Sequence, residues 1–212
     1  MNSSVSETVH FDYSNAEALC SDAYLVPVME RFIRPLPRGS RVVDLGCGNG
    51  AMLRTVLRPD LVACGIDGSV SGIDMAVKSI PNGSFFVADV TAELPARLSP
   101  GSFDAVISTE TIEHVVLPRA LVRNAFDLLK PGGAFIVSTP YNGYLKNVVL
   151  SLTNSMDKHF TALWDGGHIK FWSRKTLSAL LTEAGFEQLA FEGAGRIPFL
   201  WKSMVIVARK PV

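Results

Sequence analysis

The sequence predicts an α/β fold in which a doubly wound, mostly parallel sheet carries helices on both faces. Three observations predict it. Five short apolar runs alternate with segments that have helical spacing. The first run leads into a glycine-rich turn and then directly into a helix. Several runs end in acidic or hydroxyl residues, and ligands of such sheets bind at the carboxyl ends of the strands.

The composition is that of one globular domain spanning residues 1–212. Hydrophobic residues make up 48% of the chain and charged residues 19%, which is enough to bury a large core. Twenty basic residues balance 20 acidic ones, so we expect no nucleic-acid partner. Three cysteines without metal-ligand spacing predict no metal site. The lack of a secretory signal or membrane-length apolar run indicates the cytoplasm.

The elements follow in order. Residues 1–12 are polar and expected to be mobile. Helical spacing runs from residue 16 to residue 33. The predicted strands are 41–45, 61–67, 84–89, 103–108, 134–139, 186–192 and 203–209. The later predicted helices are 51–57, 70–78, 118–129 and 173–184, the last capped by Ser173.

Residues 142–165 are long for a loop in a compact domain and are rich in leucine and valine. They predict an inserted helical lid or substrate-binding segment. The apolar stripe at 148–152 suits packing of this lid. Weak membrane association is the alternative.

The turn after the first strand is the centre of the predicted site. Asp44 precedes Gly46, Gly48 and Gly50, and glycine lets the backbone turn sharply or approach a ligand closely. A dinucleotide-binding turn reads G-x-G-x-x-G, so the last glycine here comes one residue early. The turn alone fits either a nicotinamide or another adenosine cofactor.

Acidic residues at the strand ends favour an adenosine cofactor other than a nicotinamide dinucleotide. Asp44 would oppose a pyrophosphate but could interact with an ammonium group through water or a backbone network. Asp67 could bind a ribose diol. Asp89 could accept a hydrogen bond from an adenine amine.

The chain resembles the class I S-adenosylmethionine-dependent methyltransferases. The matching segments are VDLGCGNG (43–50), GIDGS (65–69), ADV (88–90), FDAVISTETIEHV (103–115) and LLKPGG (128–133). The likeness is greatest to the ubiquinone-biosynthesis O-methyltransferase branch. It implies a seven-stranded sheet of order 3-2-1-4-5-7-6 with the last strand antiparallel.

The resemblance also implies how S-adenosyl-L-methionine is bound. Asp44 and the glycine turn would hold the methionine moiety, Asp67 the ribose, and Asp89 with Val90 the adenine, while residues 108–110 would flank the sulfonium. The full predicted set is Asp44, Gly46, Cys47, Gly48, Asn49, Gly50, Asp67, Gly68, Ser69, Asp89, Val90, Ser108, Thr109 and Glu110.

The acceptor is expected to be a small, partly hydrophobic molecule methylated at oxygen. Segments 16–32, 142–171 and 193–201 are expected to contact it. His168 and His114 are the candidate bases, with a structural role as the alternative for each. An NAD(P)-dependent oxidoreductase and a non-catalytic, cofactor-binding regulatory protein are the competing functions. The sequence does not indicate an oligomeric state.

Overall fold

A seven-stranded sheet forms the centre of the protein. The computed structural model describes residues 12–17, 20–160 and 162–212. The strands are β1 Arg41–Leu45, β2 Val62–Asp67, β3 Ser84–Val87, β4 Phe103–Ser108, β5 Leu129–Pro140, β6 Glu187–Ala194 and β7 Ser203–Arg209. Their order is β3-β2-β1-β4-β5-β7-β6, and β7 runs antiparallel to both of its neighbours. The predicted sheet is therefore confirmed.

Helices cover both faces of the sheet, as predicted. They are α1 Asp22–Ile33, α2 Ala51–Val56, α3 Val70–Ser79, α4 Pro118–Leu128, α5 Tyr144–Leu152, α6 Met156–Phe160 and α7 Arg174–Glu183. Successive strand residues point to opposite faces. Val42 therefore packs in the cluster formed with α1, α2 and α3, whereas Val43 packs in the cluster formed with α4 and α7.

The first helix begins later than the spacing predicts. It starts at Asp22, whereas residues 12–17 cross the glycine turn in a non-helical conformation. The Asn49 amide donates to the carbonyls of Asn15 and Glu17, both at 3.0 Å. Those carbonyls are thus held by the turn and not by a helix. The predicted mobility of residues 1–12 concerns a segment outside the described residues, except for Asp12.

Several strand boundaries also differ from prediction, and those of β5 and β3 have a local explanation. β5 begins at Leu129 and includes residues 130–133, which the prediction leaves as a break between the helix at 118–129 and the strand at 134–139. Its register with β4 shifts there, which leaves these residues as a bulge. β3 ends at Val87 instead of continuing to Asp89. The Asp89 carboxylate accepts a hydrogen bond from the Thr91 N–H at 2.8 Å, a local turn that ends the strand.

The described part of segment 142–165 contains the two helices α5 and α6. Lys146 of α5 is buried, and its Nζ donates to the Lys202 carbonyl at 3.3 Å. This contact joins the segment to the start of β7. Its action as a lid stays a prediction. No helix in the described ranges combines the length and apolar character needed to cross a bilayer.

Helix α7 begins with a capping box. The Ser173 hydroxyl accepts from the Thr176 N–H at 3.2 Å, and the Thr176 hydroxyl accepts from the Ser173 N–H at 3.0 Å. We expect Ser173→Ala to lower the free energy of unfolding by about 1 kcal/mol. Ser178→Ala, in the interior of the same helix, should change it by less than about 0.5 kcal/mol. Urea denaturation measures both, and equal effects would contradict the role of the cap.

Candidate active site

A cavity of about 500 Å³ lies at the carboxyl ends of β1, β2 and β4, where a doubly wound sheet binds its ligands. Most of the predicted cofactor residues line it. They are Gly46, Cys47, Gly48, Asn49, Asp67, Gly68, Ser69, Asp89, Val90, Thr109 and Glu110. The two histidines predicted as bases, His114 and His168, line it as well. Their individual roles stay predictions.

Three predicted residues lie behind the cavity wall. Ser108 is fully buried, and its hydroxyl donates to the Leu45 carbonyl at 2.8 Å. Gly50 has φ +77°, and a Cβ there would lie 3.0 Å from the Cβ of Ala76. Gly50 therefore allows α2 and α3 to pack closely. Asp44 lies at the end of β1, beneath the turn.

The Asp44 carboxyl group is buried without a partner. The residue is 1% exposed, and neither carboxylate oxygen has a hydrogen-bond partner among the described residues. Burial, with Asp67 and Asp22 nearby, holds its pKa well above the usual range. An unpartnered buried carboxyl group is costly. A cationic group above the turn would lower that cost.

Asp67 joins the end of β2 to the glycine turn. Its Oδ2 accepts from the Gly48 N–H and its Oδ1 from the Ser69 N–H, both at 2.8 Å. Ser69 in turn caps α3 by accepting from the Gly72 N–H at 3.1 Å. Asp67 thus holds the turn in place while it faces the cavity. Asp67 is not the helix cap, because Ser69 has that position.

Tyr13 covers the glycine turn, and no motif along the chain indicates this contact. Its N–H donates to the Ser71 hydroxyl at 3.0 Å. A Cβ added to Gly48 would lie 2.3 Å from the Tyr13 hydroxyl oxygen. The start of α1 also reaches the cavity through Asp22 and Tyr24. These contacts agree with the expectation that segment 16–32 lies near the site.

The charge of the cavity is one-sided. Four acidic residues line it, namely Asp22, Asp67, Asp89 and Glu110. Among its described lining residues there is neither a lysine nor an arginine. Such a cavity disfavours a pyrophosphate and favours a ligand that carries positive charge.

Glu110 is held in an unusual position. Its φ is +49°, a left-handed conformation that is uncommon outside glycine and is often found at functional sites. Its Oε1 accepts from the Ser138 hydroxyl at 2.8 Å and its Oε2 from the Ser203 hydroxyl at 2.9 Å. Burial raises the pKa of Glu110 to about 7.

The two histidines stand side by side, with ring centroids 4.9 Å apart. His114 Nδ1 lies 2.9 Å from the Gly166 carbonyl oxygen. A carbonyl oxygen can only accept, so Nδ1 carries a proton, and in the neutral imidazole the lone pair is then on Nε2. Burial, reinforced by His114, lowers the pKa of His168 to about 4. His168 is therefore neutral at pH 7 and is a weak base.

Glu113 lies next to this pair. It is fully buried, and burial together with Glu110 holds its pKa well above the usual range. Its Oε2 accepts from the Thr139 hydroxyl at 2.9 Å. Its Oε1 lies 3.9 Å from His168 Nε2. Donor atoms of Glu113, His114 and His168 fall within 4.8 Å of one another, so these residues could hold a metal ion.

Segment 193–201 does not line the main cavity. Arg196, Ile197 and Leu200 line a second cavity of about 390 Å³, together with Lys146, Val149 and Leu150 of α5. By contrast, segment 142–171 contributes Trp164, Gly166 and His168 to the main cavity. Two of the three predicted acceptor segments therefore reach the main cavity.

The chain is similar in sequence to known methyltransferases. A family model described as "Methyltransferase domain" matches residues 18–190. The ubiquinone biosynthesis O-methyltransferase of Ralstonia nicotianae is 39% identical over 103 residues, which is 48% of this chain and 43% of that protein. The protein of the same name from Burkholderia pseudomallei is 29% identical over 165 residues, which is 76% of this chain and 70% of that protein.

The fold is similar to that of a methyltransferase whose structure has been solved. A solved structure of Haemonchus contortus phosphoethanolamine N-methyltransferase 2 in complex with S-adenosyl-L-methionine has a TM-score of 0.66 and 16% identity to this chain. The match covers 89% of this chain and 52% of that one, and at such low identity it shows a shared fold alone. The family match spans most of the chain, and the resemblance predicted from the motifs is confirmed. The chain belongs to the methyltransferase-domain family and has the class I Rossmann-like fold.

Proposed function

We propose that the protein transfers a methyl group from S-adenosyl-L-methionine to an oxygen atom of a small, partly hydrophobic acceptor. The acidic cavity above the unpartnered Asp44 carboxyl group carries this proposal. The cofactor brings an ammonium and a sulfonium group, which suit that charge. It is also the ligand in the Haemonchus structure.

The resemblance to the class I methyltransferases implies how the cofactor would lie, and the residues that line the cavity support that placement. Its methionine moiety would lie on Gly46 and Gly48, with the ammonium near Asp44. Its ribose hydroxyls would reach Asp67, and its adenine would lie against Asp89 and Val90. Asp67 can accept from the ribose in addition to the two backbone N–H groups because each carboxylate oxygen has two lone pairs.

The charge of the cavity argues against the nicotinamide alternative. A pyrophosphate would meet acidic side chains without a lysine or arginine among the described lining residues. A turnover assay distinguishes a methyltransferase from the alternative, a non-catalytic regulatory protein that binds the cofactor. A cofactor that binds but is never consumed would favour it.

Methylation at oxygen is supported by the names of the two bacterial relatives. The oxygen would attack the methyl carbon in line with the C–S bond. The C–S electron pair would move to sulfur, and a methyl ether and S-adenosylhomocysteine would form. The acceptor proton must leave. His114 lines the cavity and its Nδ1 is held by the Gly166 carbonyl, so it is the better placed of the two imidazoles to accept the proton at Nε2.

The acceptor and the location in the cell belong to the proposal as well. Tyr24 and Trp164 on the cavity wall offer aromatic surface to a partly hydrophobic acceptor. The free cysteines Cys20, Cys47 and Cys64 are consistent with the cytoplasm. A methyl-transfer screen with labelled cofactor over phenols, acids, sugars and amines tests the acceptor class. Transfer to a phenol or another hydroxyl compound is expected, and transfer to amines alone would overturn the oxygen assignment.

Asp67→Ala is expected to weaken binding of S-adenosyl-L-methionine by roughly 1–3 kcal/mol, the range for hydrogen bonds to a charged group. That range corresponds to roughly 5- to 150-fold in Kd. Isothermal titration calorimetry measures the change. Asp60→Ala, which removes a surface partner of Arg58, is the control and should leave Kd unchanged. If Asp67→Ala binds as tightly as the wild type, Asp67 serves the fold of the turn alone.

A further inference from the structure

We propose that Glu113, His114 and His168 form a site for one divalent first-row transition-metal ion at the wall of the cofactor cavity. The proposal departs from the expectation of no metal site. That expectation rested on the spacing of the cysteines, whereas these three side chains come together only in the fold. Glu113 and His114 follow β4, and His168 follows the helical segment that contains α5 and α6.

The two loops are joined at this point. The backbone carbonyl of Glu113 accepts from the N–H groups of Ile169 and Lys170 at 2.9 and 3.0 Å. The same contact brings His168 Nε2 to 3.9 Å from Glu113 Oε1. The cluster is therefore fixed by backbone hydrogen bonds as well as by its side chains.

The buried carboxyl group points into the cluster without a partner. Glu113 Oε1 has no hydrogen-bond partner among the described residues, although Glu113 is 0% exposed. Protonation of the carboxyl group would not supply a partner, because His168 Nε2 is too far for a hydrogen bond. A cation between the carboxylate and the two imidazoles would satisfy the oxygen and compensate a negative charge.

Neighbouring groups orient the ligands as they do in metal sites. The Thr139 hydroxyl holds the other oxygen of Glu113, and the Gly166 carbonyl holds His114 Nδ1. Such contacts fix the tautomer of a ligating histidine and direct its free nitrogen toward the metal ion. His114 Nε2 is thereby left available as the ligand atom.

The ligand atoms of the three side chains must move closer together to bind one ion. Metal–ligand bonds of about 2.0–2.2 Å place tetrahedral ligand atoms roughly 3.3–3.5 Å apart. The donor atoms here lie within 4.8 Å of one another, so the widest pair must close by up to about 1.5 Å. Gly166 and Gly167, directly before His168, are the residues best able to absorb it.

The ligand set indicates the class of ion. Two imidazoles and one carboxylate suit Zn²⁺, Co²⁺, Mn²⁺ or Fe²⁺ and leave positions open. Mg²⁺ prefers oxygen ligands and retains its waters. Because His114 and His168 line the main cavity, an open position could face an acceptor.

The site would deepen the proposed function by naming the acceptor class. The acceptor would be a molecule whose hydroxyl oxygen can ligate the ion, which favours the deprotonated, nucleophilic oxygen. With the ion bound, His114 Nε2 would be a ligand and not the base, and the acceptor proton would leave from the ligated hydroxyl group to water. This catalytic use rests on the proposed methyl transfer. Binding of the ion itself does not depend on methyl transfer.

The test is a titration of untagged, chelator-treated full-length protein with Co²⁺, followed by its visible absorption, with Zn²⁺ as competitor. We expect one Co²⁺ to bind and Zn²⁺ to displace it. Glu113→Gln and His168→Ala should each weaken binding at least tenfold. His159→Ala, which removes a histidine of α6 outside the cluster, should leave it unchanged.

Three results would overturn the site. They are no Co²⁺ binding to the wild type, binding that His168→Ala leaves unaltered, or Mg²⁺ binding tighter than Zn²⁺. Melting temperatures check that each variant is folded, and His114→Ala replaces Glu113→Gln if the latter does not fold. Cofactor binding is measured separately on the metal-free protein. Co²⁺ binding without cofactor binding would support the site and overturn the proposed function, and the reverse result would overturn the site alone.

Discussion

Gly48→Ala is expected to weaken binding of S-adenosyl-L-methionine by about a hundredfold or more. Gly48 has φ +50°, and an added Cβ would lie 2.3 Å from the Tyr13 hydroxyl oxygen. The methyl group therefore meets a left-handed backbone and an occupied space at once. Overpacking of this kind costs about 1–3 kcal/mol and left-handed strain about 1–2 kcal/mol. Either displacement of Tyr13 or movement of the turn disturbs the surface on which the cofactor is proposed to lie.

Gly101→Ala is the matched control for this substitution. Gly101 also has a positive φ, +66°, but no described atom lies within 4 Å of the position of its Cβ. Its replacement should cost folding free energy through backbone strain while leaving the Kd for the cofactor unchanged. Calorimetry on the two folded variants separates a local effect at the turn from general destabilisation. Equal affinity in Gly48→Ala and the wild type would exclude the turn from the binding surface.

His168→Ala is expected to lower the turnover number by on the order of a hundredfold, the lower end of the usual contribution of a positioned acid–base group, because the His168 ring packs against the proposed base His114 and holds it in place. The side chain lines the cavity beside His114 and Glu113. Its low pKa keeps it neutral at pH 7, so it can accept a hydrogen bond or ligate a cation there. The Kd for the cofactor should stay within about twofold because the proposed cofactor contacts lie elsewhere.

A steady-state assay with the best acceptor from the screen measures this effect, and calorimetry measures the cofactor affinity of the same variant. His159→Ala, on α6, removes an imidazole from the segment that precedes His168 and serves as the control. This variant should retain wild-type turnover. Unaltered turnover in His168→Ala would remove His168 from the chemistry. A large loss of cofactor affinity would instead assign it to the cofactor.

The sheet could be predicted because its signals are local. Each buried parallel strand is a short apolar run, and the strand–glycine–helix sequence at Asp44–Gly50 fixes where the first strand ends. The two closing strands were also predicted from the chain itself, whereas their order in the sheet followed from the family resemblance. The break expected at residues 130–133 was wrong because a bulge accommodates the glycine pair within β5.

Most of the cofactor side of the cavity was predictable for the same reason. Acids at strand ends meet at one edge of a parallel sheet, which brings Asp67 and Asp89 to the same cavity. Ser108 shows the limit of this reasoning. It ends a strand, but its side chain points into the protein and donates to the Leu45 carbonyl.

Contacts between distant segments were not predictable. Nothing in residues 12–17 indicates that Tyr13 covers Gly48, since the segment is short and has no periodic pattern. The same holds for the approach of His168 to Glu113, which depends on backbone hydrogen bonds between two loops. Spacing along the chain carries no information about such a cluster.

Titration of the wild-type protein with S-adenosyl-L-methionine by isothermal calorimetry tests the central claim most directly, with NADH as the comparison ligand. We predict binding of one S-adenosyl-L-methionine per chain and no binding of NADH, because the cavity is acidic and has a buried carboxyl group beneath its glycine turn. A folded protein that binds NADH, or that gives no heat with S-adenosyl-L-methionine, would contradict it.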